Sequence, residues 1–432
     1  EDMPANEKIQ EYTLSVVSRY SEVKNKKLQV IRIKDGINFK KQSARLLLSP
    51  PEKEDFIRYL IKNKIIIDCR SKVQTLESNF GTKTELIAEE YTLKSFIPFL
   101  NYEHIFEEIE AYKDEKSYYN ISIDRENIRK ILETEGWYSL IIPSIYIKVD
   151  SMEKIWLATN LAVTVLRGYF DRFYNYKKEY WEAPFLEYRE LDKDNNNFVK
   201  EYKFSYCGGT EDNATTDSIG QFVDNLQKLL NQHSSIPSYQ IATLSNSLIA
   251  FDFRMHLYAP LVHLKTNELK LTISPVSLNN DEKKFVDILK AYIDNNTEMF
   301  SDKSLYLLRN KSKVGMGFFE AGNFYPDYIL WIDTAETQYI SFIDPKGLRH
   351  LQWNDPKIEF HTTIKELETR LQSSSANKRV VLNSFIMSGA SPIDLYQWWG
   401  KNEVECYNKN VLFLDGSDCI EKMMQRILAK VL

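Results

Sequence analysis

Two aspartates and a lysine lie at the ends of two neighbouring predicted strands, and their types suit hydrolytic chemistry. Asp327 follows Pro326 and opens one strand, whereas Asp344 closes the next strand and is followed by Pro345 and Lys346. Side chains two residues apart in a strand share a face, so Asp344 and Lys346 point the same way. If the two strands form a hairpin, Asp327 lies across the ladder from Asp344. Two carboxylates and an amine then meet at one edge of the sheet.

Such a carboxylate pair favours a divalent metal ion. Two close carboxylates repel each other unless a cation lies between them, and hard oxygen ligands suit Mg²⁺, for which Mn²⁺ can substitute. The predicted metal ligands are Asp327, Asp344, the Pro345 carbonyl oxygen and Glu320, although Glu320 fits an ordinary loop carboxylate equally well. Lys346 would hold an attacking water or a phosphate oxygen near the metal. A metal-activated water and electrostatic stabilisation of the phosphate are what hydrolysis of a phosphodiester requires.

Glu282 is a further predicted catalytic residue. It shares a predicted helical face with Phe285, Val286 and Leu289, so its carboxylate points toward the sheet. Asn279, three residues earlier, gives the same carboxylate a local alternative, because Asn-x-x-Glu is the pattern of a capping box that binds a backbone N–H. The sequence leaves both functions open.

The elements that must position these residues follow residue 271. Hydrophobic periodicity and capping signals predict a helix that begins at Asn279, and then further helices and strands. The predicted strands are 305–308, 327–332, 339–343, 379–387 and 411–414, with a helix capped by Thr363 and Glu366 before the fourth strand and a terminal helix capped by Asp418 and Glu421. The order is helix, three strands, helix, strand, and then additions.

This order, with Pro-Asp in one strand and Asp-x-Lys in the next, resembles the PD-(D/E)xK nuclease core. The amino-acid sequences of several segments are similar to those of the C-terminal nuclease domain of type III restriction enzyme Res subunits and related DEAD/DEAH-box helicase–nuclease proteins. The similar segments are HLYAP (256–260), LNNDEKKFV (278–286), LYLLRN (305–310), GFFE (317–320), FYPDYILW (324–331) and FIDPKGL (342–348). The resemblance covers roughly residues 250–390.

The resemblance implies a mixed α/β protein with an αβββαβ restriction-endonuclease-like core and a Mg²⁺-dependent endonuclease activity on double-stranded DNA. It implies that Asp327, Asp344 and Lys346 are the catalytic positions, with Glu282 as the acidic residue of the first core helix. It also implies an ATP-dependent helicase motor as a partner, together with a methyltransferase or specificity subunit, in restriction–modification or antiviral defence. The sequence has no G-x-x-x-x-G-K-[ST] loop, so no motor function is assigned to it. A chain that begins with Glu1 is expected to be a fragment of a longer protein.

Composition sets the limits for these expectations. The 432 residues carry a formal charge of -5, so any DNA binding must use local basic patches, of which the densest lies between Lys24 and Arg45. That stretch fits either phosphate contacts or a solvated surface. The four Cys form no C-x-x-C pair, which argues against a zinc ribbon and fits a reducing cytoplasm. The apolar run 155–166 is shorter than the roughly 20 residues of a membrane span, so no membrane association is expected.

The chain is expected to have three parts, namely a mixed α/β accessory region (1–150), a helical and aromatic connecting domain (151–270) and the nuclease domain (271–432), and the polar breaks at 192–197 and 207–217 are loops where a boundary could also lie. In the long helix predicted from Ser151 to about Tyr180, basic residues alternate with aromatic ones, which fits single-strand binding by stacking but fits a core helix better. The alternative to a nuclease is a non-catalytic DNA-binding or assembly module on the same fold. The intact Asp-x-Lys motif favours the enzyme.

Overall fold

The computed structural model describes most of the chain and gives it a mixed α/β fold, as predicted. The described residues are 7–62, 64–69, 88–209, 213–232, 239–244, 247–265, 271–311, 315–318, 324–346, 348, 351, 353–371 and 378–429.

Helices occur along the whole described chain. In chain order they are α1 (Tyr20–Val23), α2 (Phe39–Gln42), α3 (Glu54–Lys62), α4 (Tyr102–Lys116), α5 (Arg125–Glu133), α6 (Met152–Glu182), α7 (Asn213–Gln232), α8 (Asn280–Asn295), α9 (Pro356–Leu371), α10 (Pro392–Trp399), α11 (Glu403–Asn408) and α12 (Cys419–Leu428).

The strands are mostly short. They are β1 (Glu7–Ser15), β2 (Val17–Ser18), β3 (Gln29–Ile33), β4 (Leu46–Leu47), β5 (Ile65–Asp68), β6 (Ala88–Tyr91), β7 (Ile121–Ser122), β8 (Tyr138–Pro143), β9 (Leu186–Glu190), β10 (Glu201–Gly209), β11 (Gln240–Leu244), β12 (Leu248–Phe251), β13 (Tyr258–Ala259), β14 (Leu261–Leu264), β15 (Leu271–Ser274), β16 (Ser304–Arg309), β17 (Tyr328–Asp333), β18 (Thr337–Lys346), β19 (Arg379–Ser388) and β20 (Val411–Phe413).

The chain forms two compact units. The first contains residues 1–32 and 186–432, and the second contains residues 33–185. The first unit is therefore built from two stretches of chain that are separated in sequence by the whole second unit. These borders lie at other positions than the boundaries predicted at residues 150 and 270, and the three-part division stays a prediction.

The largest sheet of the first unit positions the candidate site. Its strand order is β16-β17-β18-β19-β20, with antiparallel pairing from β16 to β18 and parallel pairing from β18 to β20. Every residue of β17 is buried, because both faces of the sheet are covered. On one face Phe285 of α8 contacts Tyr328, with ring centroids 5.4 Å apart. On the other face Phe318 contacts Phe342, and Phe360 of α9 packs on Phe318, each at 4.6 Å.

From residue 280 onward the order of elements is the predicted one: α8, three strands, α9, β19, and then α10, α11, β20 and α12. Each predicted strand overlaps its observed counterpart. The helix predicted to be capped by Thr363 begins earlier, at Pro356, where the side chain of Asp355 accepts a hydrogen bond from the Lys357 N–H at 2.9 Å. The prediction of that cap was therefore wrong, because Thr363 and Glu366 lie inside the helix.

Side chains complete the edge of β19 that β20 leaves uncovered. β20 pairs only with Ile386–Ser388. Before that point, the N–H of Leu382 donates to Oε2 of Glu368 at 2.7 Å, and the Leu382 carbonyl accepts from Lys365; both side chains belong to α9. Asn410 donates to the Ser384 carbonyl at 3.1 Å. An open strand edge is a template for intermolecular pairing, and these side chains occupy it.

Smaller sheets complete the first unit. Their strand orders are β1-β10-β15, β11-β12-β14, β13-β2 and β3-β9.

The second unit packs α3 to α6 around the sheet β5-β8-β6. Its longest helix, α6, has 31 residues, and its aromatic side chains Tyr169, Phe170 and Phe173 are at most 1% exposed. The interpretation of this segment as a core helix is thus confirmed. Even α6 lacks the combination of length and apolar character that crossing a bilayer requires, and so do the other helices of the described ranges.

Candidate functional site

Asp327 and Asp344 lie next to each other at the end of the β17–β18 ladder. Tyr328 is in register with Ile343, so Asp327, one residue earlier, lies opposite Asp344 on the same face of the sheet. Asp344 is 3% exposed, and Asp327 is partly buried. The structure therefore brings together the two carboxylates that the sequence placed at neighbouring strand ends.

The close carboxylates of Asp327 and Asp344 favour the binding of one proton or one cation between them. Burial is the largest cause that raises the pKa of Asp327 well above its ordinary value. The negative charges of Asp344 and Glu282 raise it further, whereas the charge of Lys346 lowers it. At neutral pH Asp327 therefore keeps its proton, because two ionised carboxylates in this buried position would repel each other.

Lys346 lies on the same face as Asp344 and forms an ion pair with its Oδ2 atom. This oxygen is buried, and among the described residues no donor forms a hydrogen bond of good geometry with it. The Lys346 side chain is 25% exposed, and its ammonium nitrogen lies 5.2 Å from the centroid of the Phe324 ring. The lysine thus reaches from solvent to the carboxylate pair.

Two prolines end the ladder beside the carboxylates. The Gly389 N–H donates to the Lys346 carbonyl at 3.2 Å, so the carbonyl of Pro345, one residue earlier, points away from β19 and toward the β17 side. The register places Pro326 opposite Pro345, and proline has no N–H to donate. The ladder therefore supplies no donor to the Pro345 carbonyl oxygen, which was the predicted third oxygen of the site.

Asn310 holds the segment that carries Asp327, a role that the sequence reasoning missed. Its backbone N–H donates to the Asp327 carbonyl at 2.7 Å, and its side-chain nitrogen donates to the carbonyls of Met316 and Pro326 at 2.7 and 2.8 Å. Its side-chain oxygen accepts from Asn197 at 2.9 Å. Asn310 is 5% exposed, so these bonds fix the start of β17 in a buried environment.

Gly315 is the sequence signal that accompanies this network. A Cβ atom at Gly315 would lie 2.3 Å from Oδ1 of Asn310 and 2.4 Å from Oδ1 of Asn197. Only glycine lets the backbone pass this close to the two amides. A glycine in the loop after a strand that ends in asparagine could therefore have pointed to Asn310.

Glu282 is placed apart from the pair. It forms the capping box with Asn279 that the sequence offered as the alternative: the Asn279 N–H donates to Glu282 Oε2 at 2.7 Å. Arg309 also donates to both carboxylate oxygens, at 3.1 and 3.2 Å. Arg309 is in register with Tyr328 and so lies on the sheet face opposite to that of Asp327. Glu282 acts on Asp327 through its charge, and its catalytic role stays a prediction.

The buried ring of His256 binds the backbone of Arg309. Its Nε2 atom accepts from the Arg309 N–H at 3.0 Å, and its Nδ1 lies 2.8 Å from the Tyr258 carbonyl, to which it donates. Complete burial lowers the pKa of His256 to about 3, so the ring is neutral. His256 therefore has a structural role, since its neutral ring holds the backbone of Arg309.

The donor set around the pair is small. Glu320, a predicted metal ligand, lies outside the described residues. Among the described residues, no group of three or more His, Cys, Asp or Glu side chains is arranged to hold a metal ion. Mg²⁺ commonly keeps several waters and uses only one or two carboxylates, so the Asp327–Asp344 pair and the Pro345 carbonyl fit this ion in number and type.

Comparisons with protein-family models, with curated proteins and with solved structures each find no match to this chain. The functional argument therefore depends on the site itself.

Proposed function

We propose that the protein is a metal-dependent endonuclease that hydrolyses phosphodiester bonds of double-stranded DNA, and that the elements from α8 to β19 are a PD-(D/E)xK core. The observation that carries the proposal is the buried Asp327–Asp344 pair with Lys346 beside it, at the shared end of two neighbouring strands. A buried carboxylate pair costs free energy, and in this place a cation would remove that cost.

Asp327, Asp344 and the Pro345 carbonyl are the groups that would hold Mg²⁺ or Mn²⁺. When bound, the ion supplies positive charge to a phosphate and a water of lowered pKa. Burial and repulsion raise the pKa of Asp327, so a bound cation would favour the loss of its proton. The negative charge of Asp344 would be balanced either by the ammonium group of Lys346 or by the bound cation.

Lys346 is placed where it could contact a substrate. Its ammonium nitrogen lies 5.2 Å from the centroid of the Phe324 ring and its side chain is 25% exposed, so the group could contact a phosphate oxygen. Lys357, at the start of α9, lies 5.7 Å from the centroid of the same ring. Two lysines around one aromatic ring offset the negative carboxylates and favour a polyanionic substrate.

The other parts of the proposal rest on the sequence alone. The resemblance implies a helicase motor and a methyltransferase or specificity subunit as partners and a role in restriction–modification or antiviral defence, and the four Cys without a C-x-x-C pair fit a cytoplasmic location.

The test is nicking of supercoiled plasmid DNA with Mg²⁺ or Mn²⁺. The variants Asp344→Asn and Lys346→Met should each lose at least about 100-fold in rate, as expected for the loss of a metal ligand or of a charge that stabilises the transition state. Asp194→Asn, an exposed carboxylate in a loop, is the matched control and should cut normally. Undiminished cleavage by the first two variants would refute the proposed site.

A non-catalytic DNA-binding or assembly module is the second candidate. The observation that favours it is the Lys346–Asp344 ion pair, because the lysine and a protonated Asp327 already balance the charge of Asp344 without a metal. Thermal unfolding with and without Mn²⁺ separates the two candidates. A nuclease site predicts a rise of the melting temperature with Mn²⁺ that Asp344→Asn abolishes, whereas a structural ion pair predicts no response to Mn²⁺.

A further inference from the structure

A cavity of about 180 Å³ lies at the other end of the same sheet, within the first unit. It is lined by Asn25, Lys26, Lys27, Gln29, Asp333, Gln338, Lys378 and Val380. Asp333 ends β17 and lies six residues after Asp327, which corresponds to roughly 20 Å along a strand. The cavity is therefore separate from the Asp327–Asp344 pair, and the inference below does not depend on the proposed nuclease function.

The lining carries an excess of positive charge. Among the described residues, Lys378 alone of the three lysines has a close buried acid, since its ammonium lies 2.9 Å from Oδ1 of Asp333. Lys27 lies 3.5 Å from Glu190, and both of these side chains are more than half exposed, so water screens the pair. Lys26 contacts the neutral hydroxyl of Ser304 at 3.4 Å. Two ammonium groups thus face the cavity without a strong acidic partner.

The buried polar groups that line the cavity are hydrogen-bonded to one another. Gln338 is 2% exposed; its side-chain oxygen accepts from the Gln29 N–H at 2.6 Å, and its nitrogen donates to Asp333 at 3.2 Å. Asp333 is 6% exposed, and Lys378 and Gln338 together occupy its Oδ1 atom. The single acid of the lining is therefore neutralised by its own neighbours and does not repel an anion strongly.

Lys27 has an unusual backbone for a lysine. Its φ is 51° and its ψ is 47°, which is the left-handed conformation at the end of the short helix 24–26. A side chain with a Cβ costs free energy there, whereas glycine does not. Lys27 lines the cavity from this position, and residues held in such conformations cluster at ligand sites.

We propose that this cavity binds a phosphate group. The volume exceeds that of a single water but is smaller than the roughly 300–1,000 Å³ of pockets for whole drug-sized ligands. It therefore suits one tetrahedral anion, with the rest of the ligand outside. A phosphate offers several strong acceptor oxygens, which match the ammonium groups of Lys26 and Lys27 and the side-chain amide of Asn25. The phosphate comes either from a small phosphate ester or from the backbone of a nucleic acid.

The test uses calorimetric titration of the full chain with inorganic phosphate and with ribose 5-phosphate. We expect Lys26→Gln and Lys27→Gln each to weaken the binding of both by about tenfold, which is the loss of one charge-assisted hydrogen bond. Lys24→Gln is the matched control: it removes the same charge from the same short helix, but Lys24 does not line the cavity. These exposed substitutions should leave the melting temperature unchanged, so a loss of binding is not a loss of folding.

A second titration identifies the source of the phosphate. If the cavity binds a nucleic acid, the same two variants weaken the binding of a short DNA duplex. Each variant also reduces the slope of log affinity against log salt concentration by about one, because one phosphate contact is lost. If it serves a small ester, ribose 5-phosphate binding falls and duplex binding does not. The proposal is overturned if the wild-type chain binds neither phosphate compound, or if the Lys26 and Lys27 variants bind them as well as Lys24→Gln does. Neither result depends on whether the protein cuts DNA.

Discussion

Asp327, Asp344 and Lys346 are a set whose charge adjusts to what is bound. With the proton on Asp327, the ammonium of Lys346 balances the single charge of Asp344. A divalent cation would replace this proton and compete with Lys346 for Asp344. The ammonium group of Lys346 would therefore be paired with Asp344 without the metal and free to move away from it with the metal. The same three groups form a charge-balanced buried arrangement and, in the proposed nuclease, would be the groups that act on an anionic substrate.

The sequence predicted these three positions because they are local to one hairpin. Asp327 and Asp344 belong to strands joined by a short turn, so strand ends and register follow from the chain itself. Asn310 and Arg309 were not predicted, because their partners Asn197 and Glu282 come from distant segments. A hydrogen bond between such segments has no periodic pattern that a sequence could show.

Glu179 of α6 is the residue for which pH should change stability. Partial burial raises its pKa to about 8, helped by the charge of Glu182 and opposed by Lys178, and its Oε2 atom has no hydrogen-bond partner among the described residues. A pKa raised in the folded state gives stability that is complete below the unfolded value near 4.5 and is lost as pH rises through about 8.

We therefore expect Glu179→Gln to stabilise the protein by about 1–2 kcal/mol at about pH 8 and to have little effect at about pH 4.5. Urea unfolding at both pH values measures this difference. Glu153→Gln, an exposed glutamate on the same helix, is the control and should change neither value. Equal effects of Glu179→Gln at both pH values would contradict the raised pKa.

At the scale of elements, strand positions were predictable and helix starts were less so. The buried strands β16 to β19 are dense in apolar residues between turn signals, so their overlap with the predicted strands follows from hydrophobicity. The capping pattern was right for α8, where the Asn279–Glu282 box forms. It was wrong for α9, because the same spacing also occurs inside a helix and only the flanking Asp355 and Pro356 distinguish the two cases.

The contact between α9 and the edge of β19 gives a prediction for these elements. Glu368→Ala removes the acceptor for the buried Leu382 N–H and should cost about 1–2 kcal/mol of unfolding free energy. It should also promote self-association at high protein concentration, because the edge becomes open. Urea unfolding and light scattering measure the two effects.

Two variants on the same helix sharpen this test. Glu368→Gln keeps an acceptor oxygen and should restore most of the stability. Glu366→Ala, which is exposed, should have no effect. If Glu368→Ala and Glu366→Ala behave alike, α9 does not protect the edge in the way described.

At the scale of the whole molecule, the second unit is an insertion into the first. The chain leaves the first unit after Arg32 and returns at Leu186. At the crossing point the Lys34 N–H donates to the Phe185 carbonyl at 2.8 Å, and one strand on each side, β3 and β9, pair in one sheet. The predicted boundaries at residues 150 and 270 follow the local pattern of elements along the chain. Local patterns of this kind cannot reveal that residues 1–32 belong with residues 186–432.

This topology predicts that the first unit folds without the second. Since Lys34 and Phe185 are hydrogen-bonded neighbours, a Gly-Ser linker of about four residues can replace residues 35–184 at a length usual for connections in compact domains. The shortened chain should melt in one sharp transition within about 5 °C of the full chain, and its response to Mn²⁺ should equal that of the full chain, because Asp327, Asp344 and Lys346 all lie in the first unit. Thermal unfolding followed by near-UV circular dichroism measures both. A chain that keeps its far-UV signal but loses its near-UV signal and its sharp transition would show that the first unit needs the inserted residues for its packing.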